Sequence, residues 1–226
     1  MLDIQKHELI LKSILRDIYT DSSLQASLAF KGGTCLYLFY GLDRFSVDLD
    51  FNLRSDKLDD ERLNEIIGKY LQVSDRTNKH FTWFWLGSYE KSLQKVKVEV
   101  SKRDYPDRYV NKDFYGLTVP TMGPSCMFAH KLCAITDRKK LQNRDLYDAH
   151  FMFNQHFDID EEIIKLRTGK TTKEYFANLV TFIEEKVTDN NILEGLGELL
   201  TDQQKNNVRA TLKRDILFDL KSWLPA

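Results

Sequence analysis

Two carboxylates one residue apart inside an apolar run constrain this chain more than any other feature. The run is Phe45-Ser46-Val47-Asp48-Leu49-Asp50-Phe51-Asn52-Leu53. A β-strand points residues i and i+2 to the same side. Asp48 and Asp50 therefore share a face with Ser46, while Val47, Leu49 and Phe51 turn to the other face and to the core. Carboxylates that close repel each other unless a cation lies between them. Mg²⁺ suits such a pair, because it is hard, takes oxygen ligands, and commonly combines one or two carboxylates with phosphate oxygens.

Just ahead stands Lys31-Gly32-Gly33-Thr34, a glycine pair opening an apolar, helix-like run to Tyr40, with Gly41 placed to stop it. Glycines admit positive φ and close approach of a ligand to the backbone. A helix that opens on such a turn aims N–H groups and the positive end of its dipole at an anion. Alone, a Gly-Gly pair is usually a turn, and an Asp-x-Asp is usually an exposed strand face. Together, a phosphate cradle followed closely by a metal clamp is what nucleotidyl transfer needs.

The 226 residues suffice for one large domain or two small ones. Hydrophobic content of 42% with 30% charged residues describes a globular rather than a disordered chain. A net charge of −1 excludes a molecule that binds nucleic acid by overall charge, so any polyanion must meet a local patch. Cys35, Cys126 and Cys133 are odd in number, lack a Cys-x-x-Cys spacing and lie in apolar runs. They read as buried reduced thiols of a cytoplasmic protein, not as a zinc site. No apolar run nears the ~20 residues of a membrane span, and the first residues lack the order of a signal peptide.

In chain order, Leu2–Tyr19 reads as an amphipathic helix, followed by a short helix capped by Ser22 or Ser23 and running to Leu28. Arg44 is either a phosphate or surface ligand or the partner of a nearby acid. Asp59–Val73 reads as a helix, and Phe81–Tyr89 and Leu93–Ser101 as strands. The second alternates cleanly, with Val96, Val98 and Val100 on one face and Lys95, Lys97, Glu99 and Ser101 on the other. Glu99 is the only acid on that face. If this strand adjoins Asp48 and Asp50, Glu99 becomes a third carboxylate, either a general base or a further metal ligand; otherwise it belongs to a solvated edge. Gly116–Met122 is a short strand. A helix from Pro124 to Asp137 carries Lys131, and on its own such a lysine is usually a solvated position. Asp145 and Asp148 are neighbours on one face of the next helix. The basic cluster from Lys131 through Arg138, Lys139 and Lys140 to Arg144 is the best local candidate for contacting a polyanion. From Asp160 onward the pattern is helical throughout, with apolar stripes at 176–183, 192–200 and 212–223.

At this point the residues resemble a family. Lys31-Gly-Gly-Thr34, Arg44-x-Ser46-x-Asp48-Leu-Asp50-Phe, Lys131 in a helix and Arg144-Asp145-Leu-Tyr-Asp148 look like the AbiEii/AbiGii type of abortive-infection nucleotidyltransferase toxin, within the DNA-polymerase-β-like superfamily. The four blocks occur in the family's order between about residues 29 and 150. The resemblance implies that Gly32, Gly33 and Ser46 bind NTP phosphates and that Asp48 and Asp50 hold Mg²⁺. It implies that Lys131 contacts the nucleotide phosphates and that Asp145 or Asp148 orients it or completes the site. Lys31 matches a family position near the active site, and Thr34 and Arg44 complete the nucleotide-binding blocks. Glu99 enters only by superfamily analogy.

The expected fold is α+β: a mixed nucleotidyltransferase sheet with flanking helices over residues 1–122, then a helical domain over 123–226. The expected activity is Mg²⁺-dependent transfer of NMP from an NTP to an acceptor hydroxyl, above all a tRNA 3′ end, by a toxin with a cognate antitoxin. The rivals are an antibiotic or protein nucleotidyltransferase and a non-catalytic nucleotide-binding regulator.

Overall fold

The computed structural model describes residues 3–90, 95–138 and 142–224. It divides into two compact units, residues 1–123 and 124–226. The first runs α1 (Ile4–Thr20), β1 (Leu28–Lys31), α2 (Gly32–Tyr40), β2 (Leu49–Leu53), α3 (Asp60–Gly68), β3 (Gln72–Lys79), β4 (Thr82–Ser88), β5 (Lys95–Ser101), β6 (Tyr109–Phe114) and β7 (Leu117–Met122). The strands form one sheet in the order β3-β4-β5-β2-β1-β7-β6. β2 lies parallel to β5 and β1 parallel to β7, while the other pairs are antiparallel.

Alternation along the central strands decides the two faces. Phe30, Leu49, Phe51, Val96, Val98, Val100 and Trp85 are buried on one of them. There Tyr19 of α1 meets Phe51, Phe39 of α2 meets Phe30, and Asn64 of α3 accepts from the Trp85 indole N–H. Three helices thus cover a single face. The opposite face carries Asp50, Asn52, Lys97, Glu99 and Phe84, and it is this face that matters for function.

Local choices follow the sequence. Asp3 caps α1 through the Lys6 N–H, and α2 ends where Gly41 takes φ +77°. Four stretches differ from the sequence expectation. Residues 21–27 form turns instead of a short helix, since Asp21 accepts from the Ser23 N–H and hydroxyl, and Leu28 already pairs with Leu53. The helix expected over Asp59–Val73 stops at Gly68; Tyr70 and Leu71, which continued its apolar period, sit in the turn, and Gln72 begins β3. β3 and β6 escape a periodicity reading because their side chains are mostly exposed and polar. The strand expected over Leu93–Ser101 is present from Lys95 to Ser101, its first two expected residues lying outside those described.

The second unit comprises α4 (Pro124–Asp137), α5 (Arg144–Asn154), α6 (Glu161–Thr168), α7 (Thr172–Lys186), α8 (Asp202–Asn207), a π-helical turn (Val208–Leu212) and α9 (Lys213–Lys221). Its core gathers Phe128, Leu132, Ile163, Phe176, Leu179, Ile183 and Ile216. Thr171 and Glu174 close a capping box on α7. The stripe at 192–200 lies in consecutive turns, not a helix, although Ile192, Leu196 and Leu200 are buried as the apolar pattern demands. Cys35, Cys126 and Cys133 are free and buried, and burial pushes the Cys133 thiol up to about 11. No helix among the described residues is long and apolar enough to cross a membrane.

Asp21 joins α1 to α3 by accepting from Arg62 Nε at 2.7 Å, and this pairing, with the Ser23 bonds, lowers its carboxyl to about 2. A carboxyl whose folded value is depressed stabilises the fold above its unfolded value, near 3.9, and the benefit disappears as pH falls through about 2. Asp21→Asn should therefore lower stability at pH 7 by up to ~1 kcal/mol, an exposed-pair magnitude, and the gap to wild type should close between pH 4 and 2 in urea titrations.

Candidate active site

β1 ends at Lys31, whose extended backbone turns at Gly32, φ +82°, into the first turn of α2. No other residue fits at position 32: a Cβ there would lie 2.6 Å from Asp50 Oδ2. Gly33 is equally tight, since a Cβ would lie 2.8 Å from Ser46 Oγ and 2.9 Å from Arg44 Nη2. The glycine pair is required because carboxylate, hydroxyl and guanidinium are packed against its backbone. Arg44 is buried and donates to the Phe45 carbonyl at 2.8 Å, so it is an internal member of this corner and not a surface ligand. The Thr34 hydroxyl is also committed, to Ser46 Oγ at 2.9 Å and to the Asp48 carbonyl. These bonds stitch the helix start to the segment that presents Asp48.

Asp48 lies one residue before β2, and Val47 is consequently half-exposed instead of joining the core. Asp48 Oδ1 accepts from the Lys97 N–H at 3.3 Å, which fixes it against β5. Asp50 stands inside β2, with Lys31 as its cross-strand neighbour on β1 and Glu99 as its neighbour on β5. The adjacency on which the Glu99 reading depended is present in the structure. Lys31, Asp50 and Glu99 form one row across three strands.

The sequence reading missed the cation of this cluster. Lys97 Nζ lies 3.3 Å from Glu99 Oε2, 3.4 Å from Asp50 Oδ1 and 3.8 Å from Asp48 Oδ2. One ammonium therefore lies among three half-buried carboxylates and offsets part of their charge. The signal was available, since Lys97 shares the polar face of β5 with Glu99, but lysine on a strand face ordinarily reads as solvated.

His7 is the second missed residue. It is fully buried in α1, with Nε2 3.0 Å from the Val47 carbonyl and Nδ1 3.2 Å from the Tyr89 hydroxyl. Burial lowers its pKa, opposed by the Val47 hydrogen bond and by Asp48. The neutral ring thus donates to Val47 and accepts from Tyr89, and it anchors the backbone immediately before Asp48. No sequence pattern marks a lone histidine in an amphipathic helix.

The second unit holds a separate cluster. Lys131 Nζ lies 2.7 Å from Asp148 Oδ2 and 3.3 Å from Asp145 Oδ1, and Arg138 Nε donates to Asp145 Oδ2 at 2.6 Å. Both aspartates are fully buried. Lys131 is thus a charge held by two buried acids and not a solvated position. Of the basic cluster, Lys131 and Arg138 are engaged with carboxylates, and Lys139 and Lys140 lie outside the described residues.

Among the described residues, no three His, Cys, Asp or Glu side chains converge as a preformed metal cage. The donors nevertheless suit a hard cation: three carboxylates gather around a positive charge, and the missing Cβ of Gly32 lets Asp50 pack against the start of α2. Asp48 and Asp50 fit a two-carboxylate clamp, with Glu99 alongside.

The profile described as nucleotidyl transferase AbiEii toxin, type IV toxin–antitoxin system, matches residues 13–223. The chain belongs to this family. It is therefore a nucleotidyltransferase, and the family's toxin–antitoxin organisation implies a cognate antitoxin. Its fold is similar to that of JHP933 from Helicobacter pylori, at 22% identity and TM-score 0.60, over 98% of this chain and 95% of that one. It is also similar to MenT4, a nucleotidyltransferase toxin from Mycobacterium tuberculosis, at 19% identity and TM-score 0.59, over 99% and 89%. No curated protein matches the chain significantly.

Two glycines in the same left-handed conformation separate strain from crowding. Gly41→Ala meets no atom within 4 Å and should cost about 1 kcal/mol, the conformational penalty alone. Gly32→Ala adds the collision with Asp50 and should cost clearly more, by chemical denaturation. Removing the His7 ring strands the buried Val47 carbonyl, so His7→Ala should cost about 1–3 kcal/mol. Because the buried ring stays neutral, its contribution is complete above its unfolded value of about 6.5 and is lost as pH falls below it. The stability gap between His7→Ala and wild type should therefore narrow from pH 8 to pH 5.

Proposed function

We propose that this toxin transfers a nucleoside monophosphate from an NTP to an acceptor hydroxyl, with the 3′ end of a tRNA as acceptor. The observation that carries the reading is the row Lys31–Asp50–Glu99 beside the Gly32–Gly33 turn: a helix N-terminus and, packed against it, carboxylates that already hold a cation.

In this reading the first N–H groups of α2 and the Ser46 hydroxyl bind the triphosphate, with Lys31 and Arg44 supplying positive charge at the same corner. Asp48 and Asp50 hold Mg²⁺. When bound, Mg²⁺ supplies phosphate-charge neutralisation as pyrophosphate departs. Glu99 takes the proton of the acceptor hydroxyl. The acceptor oxygen bonds to the α-phosphorus, the bridging bond from that phosphorus to the β-phosphate oxygen breaks, and pyrophosphate carries away the electron pair. Residues 1–122 form the catalytic core. In the second unit Asp145 and Asp148 hold the ammonium of Lys131, the group that the family resemblance assigns to the nucleotide phosphates. The protein acts in the cytoplasm, where NTP and tRNA are found together.

Purified protein incubated with Mg²⁺, total tRNA and each α-labelled NTP in turn should label tRNA with one NTP preferred. Asp48→Ala should lower labelling by several orders of magnitude with its fold retained by circular dichroism. Undiminished labelling by that variant, or label confined to protein or an added aminoglycoside, would overturn the reading. A second readout needs no catalysis. Lys97→Met leaves three carboxylates without their ammonium, so its metal-free melting temperature should fall by a few degrees, and Mg²⁺ should recover more of it than Mg²⁺ adds to wild type.

A further inference from the structure

The row through the carboxylates does not end at Glu99. Antiparallel pairing sets Phe84 of β4 directly opposite Glu99, and Thr77 of β3 opposite Phe84. The sequence Lys31–Asp50–Glu99–Phe84–Thr77 thus crosses five strands at one level, with every side chain on the face that α1, α2 and α3 leave uncovered. Neighbouring positions in such a row are about 5 Å apart. A half-exposed aromatic ring therefore stands beside the third carboxylate.

An aromatic ring on a sheet face is commonly a packing residue, and Trp83 and Trp85, which flank Phe84, turn to the other face as packing residues do. Phe84 alone among the three turns to the carboxylate face. Its surroundings are also cationic. Lys79 Nζ lies over its ring at 5.8 Å. An aromatic ring with a lysine beside it is a unit by which proteins hold single-stranded nucleic acid: the ring takes a base and the cation a phosphate.

The order along the row says which nucleotide this is. The glycine turn and α2 N-terminus lie on the Lys31 side of the carboxylates, and Phe84 on the Glu99 side. In-line displacement places the leaving pyrophosphate and the attacking hydroxyl on opposite sides of the α-phosphorus. With the triphosphate at the glycine turn, the acceptor arrives from the β4 side. We propose that Phe84 is the platform on which the terminal base of a single-stranded RNA acceptor stacks, with Lys79 contacting the adjoining phosphate. This rests on the nucleotidyl-transfer reading above and deepens it, because the ring would set the terminal ribose hydroxyl near Glu99.

The test uses the full chain and a short single-stranded RNA whose 3′-terminal base is 2-aminopurine, a fluorophore quenched by stacking. Without NTP, wild type and Phe84→Tyr should quench it. Phe84→Leu, which keeps apolar bulk and loses the ring face, should not. In transfer assays with total tRNA, Phe84→Leu should raise the KM for tRNA by roughly 5- to 150-fold, the range of a single base–aromatic stack, and leave the KM for NTP unchanged. Lys79→Gln, an exposed substitution that leaves the ring in place, should weaken RNA binding and flatten its salt dependence. Equal quenching by Phe84→Leu, or a loss that falls on the KM for NTP, would overturn the proposal while leaving Asp48-dependent transfer intact. Transfer that proves independent of Asp48 would instead remove the functional reading, and quenching by Phe84 would then stand as RNA binding without its proposed purpose, which also overturns the platform assignment.

Discussion

Mutual repulsion among Asp48, Asp50 and Glu99 is the constraint around which the first unit is arranged. Three carboxylates brought together by β2, the residue before it and β5 are costly unless a positive charge stands among them. Lys97 supplies it from the same strand as Glu99, within 3.8 Å of all three. The rest of the corner holds that arrangement in place. Thr34 ties the start of α2 to the Asp48 backbone, His7 ties α1 to the Val47 carbonyl, and the Lys97 N–H ties Asp48 to β5. Each anchor comes from a different element, so the carboxylates are fixed by the whole sheet and its helices. A single loop would hold them far less firmly.

Much of this was legible from residues 30–53. The glycine pair, the helix it opens, the Asp-x-Asp and the alternation of β5 are local patterns with local causes. What was not legible has a common origin in strand order. Nothing in the sequence says that β2 pairs with β5 in parallel, yet that pairing turns Glu99 from a surface acid into a neighbour of Asp50 and Lys97 into their counter-charge. Phe84 was hidden for the same reason, within an aromatic run whose two tryptophans are packing residues. β3 and β6 were missed because exposed edge strands carry little apolar periodicity, and the 192–200 stripe was misread because buried turns can imitate a helix in the spacing of their leucines.

In the second unit the residues proposed for function also carry stability. Lys131 is held by two fully buried aspartates, one of which also accepts from Arg138. Removing one partner of such a cluster leaves a buried charge uncompensated, at a cost of about 3–5 kcal/mol. An inactive Asp145 or Asp148 variant therefore says nothing about chemistry until its fold has been measured. Asp48, which is partly exposed, is the cleaner residue by which to judge activity.

The parallel pairing of β2 with β5 has one further consequence, for when the molecule becomes active. Asp50 and Glu99 are nearly fifty positions apart, and α3, β3 and β4 must be made before their strands can meet. Contacts of that span form late, because the chain between them has to be ordered first. A growing chain that has emerged only as far as β4 carries the glycine turn and both aspartates but neither Lys97 nor Glu99. The carboxylate cluster is thus assembled only once β5 has been made and paired, and a chain that stops at β4 carries its aspartates without their counter-charge.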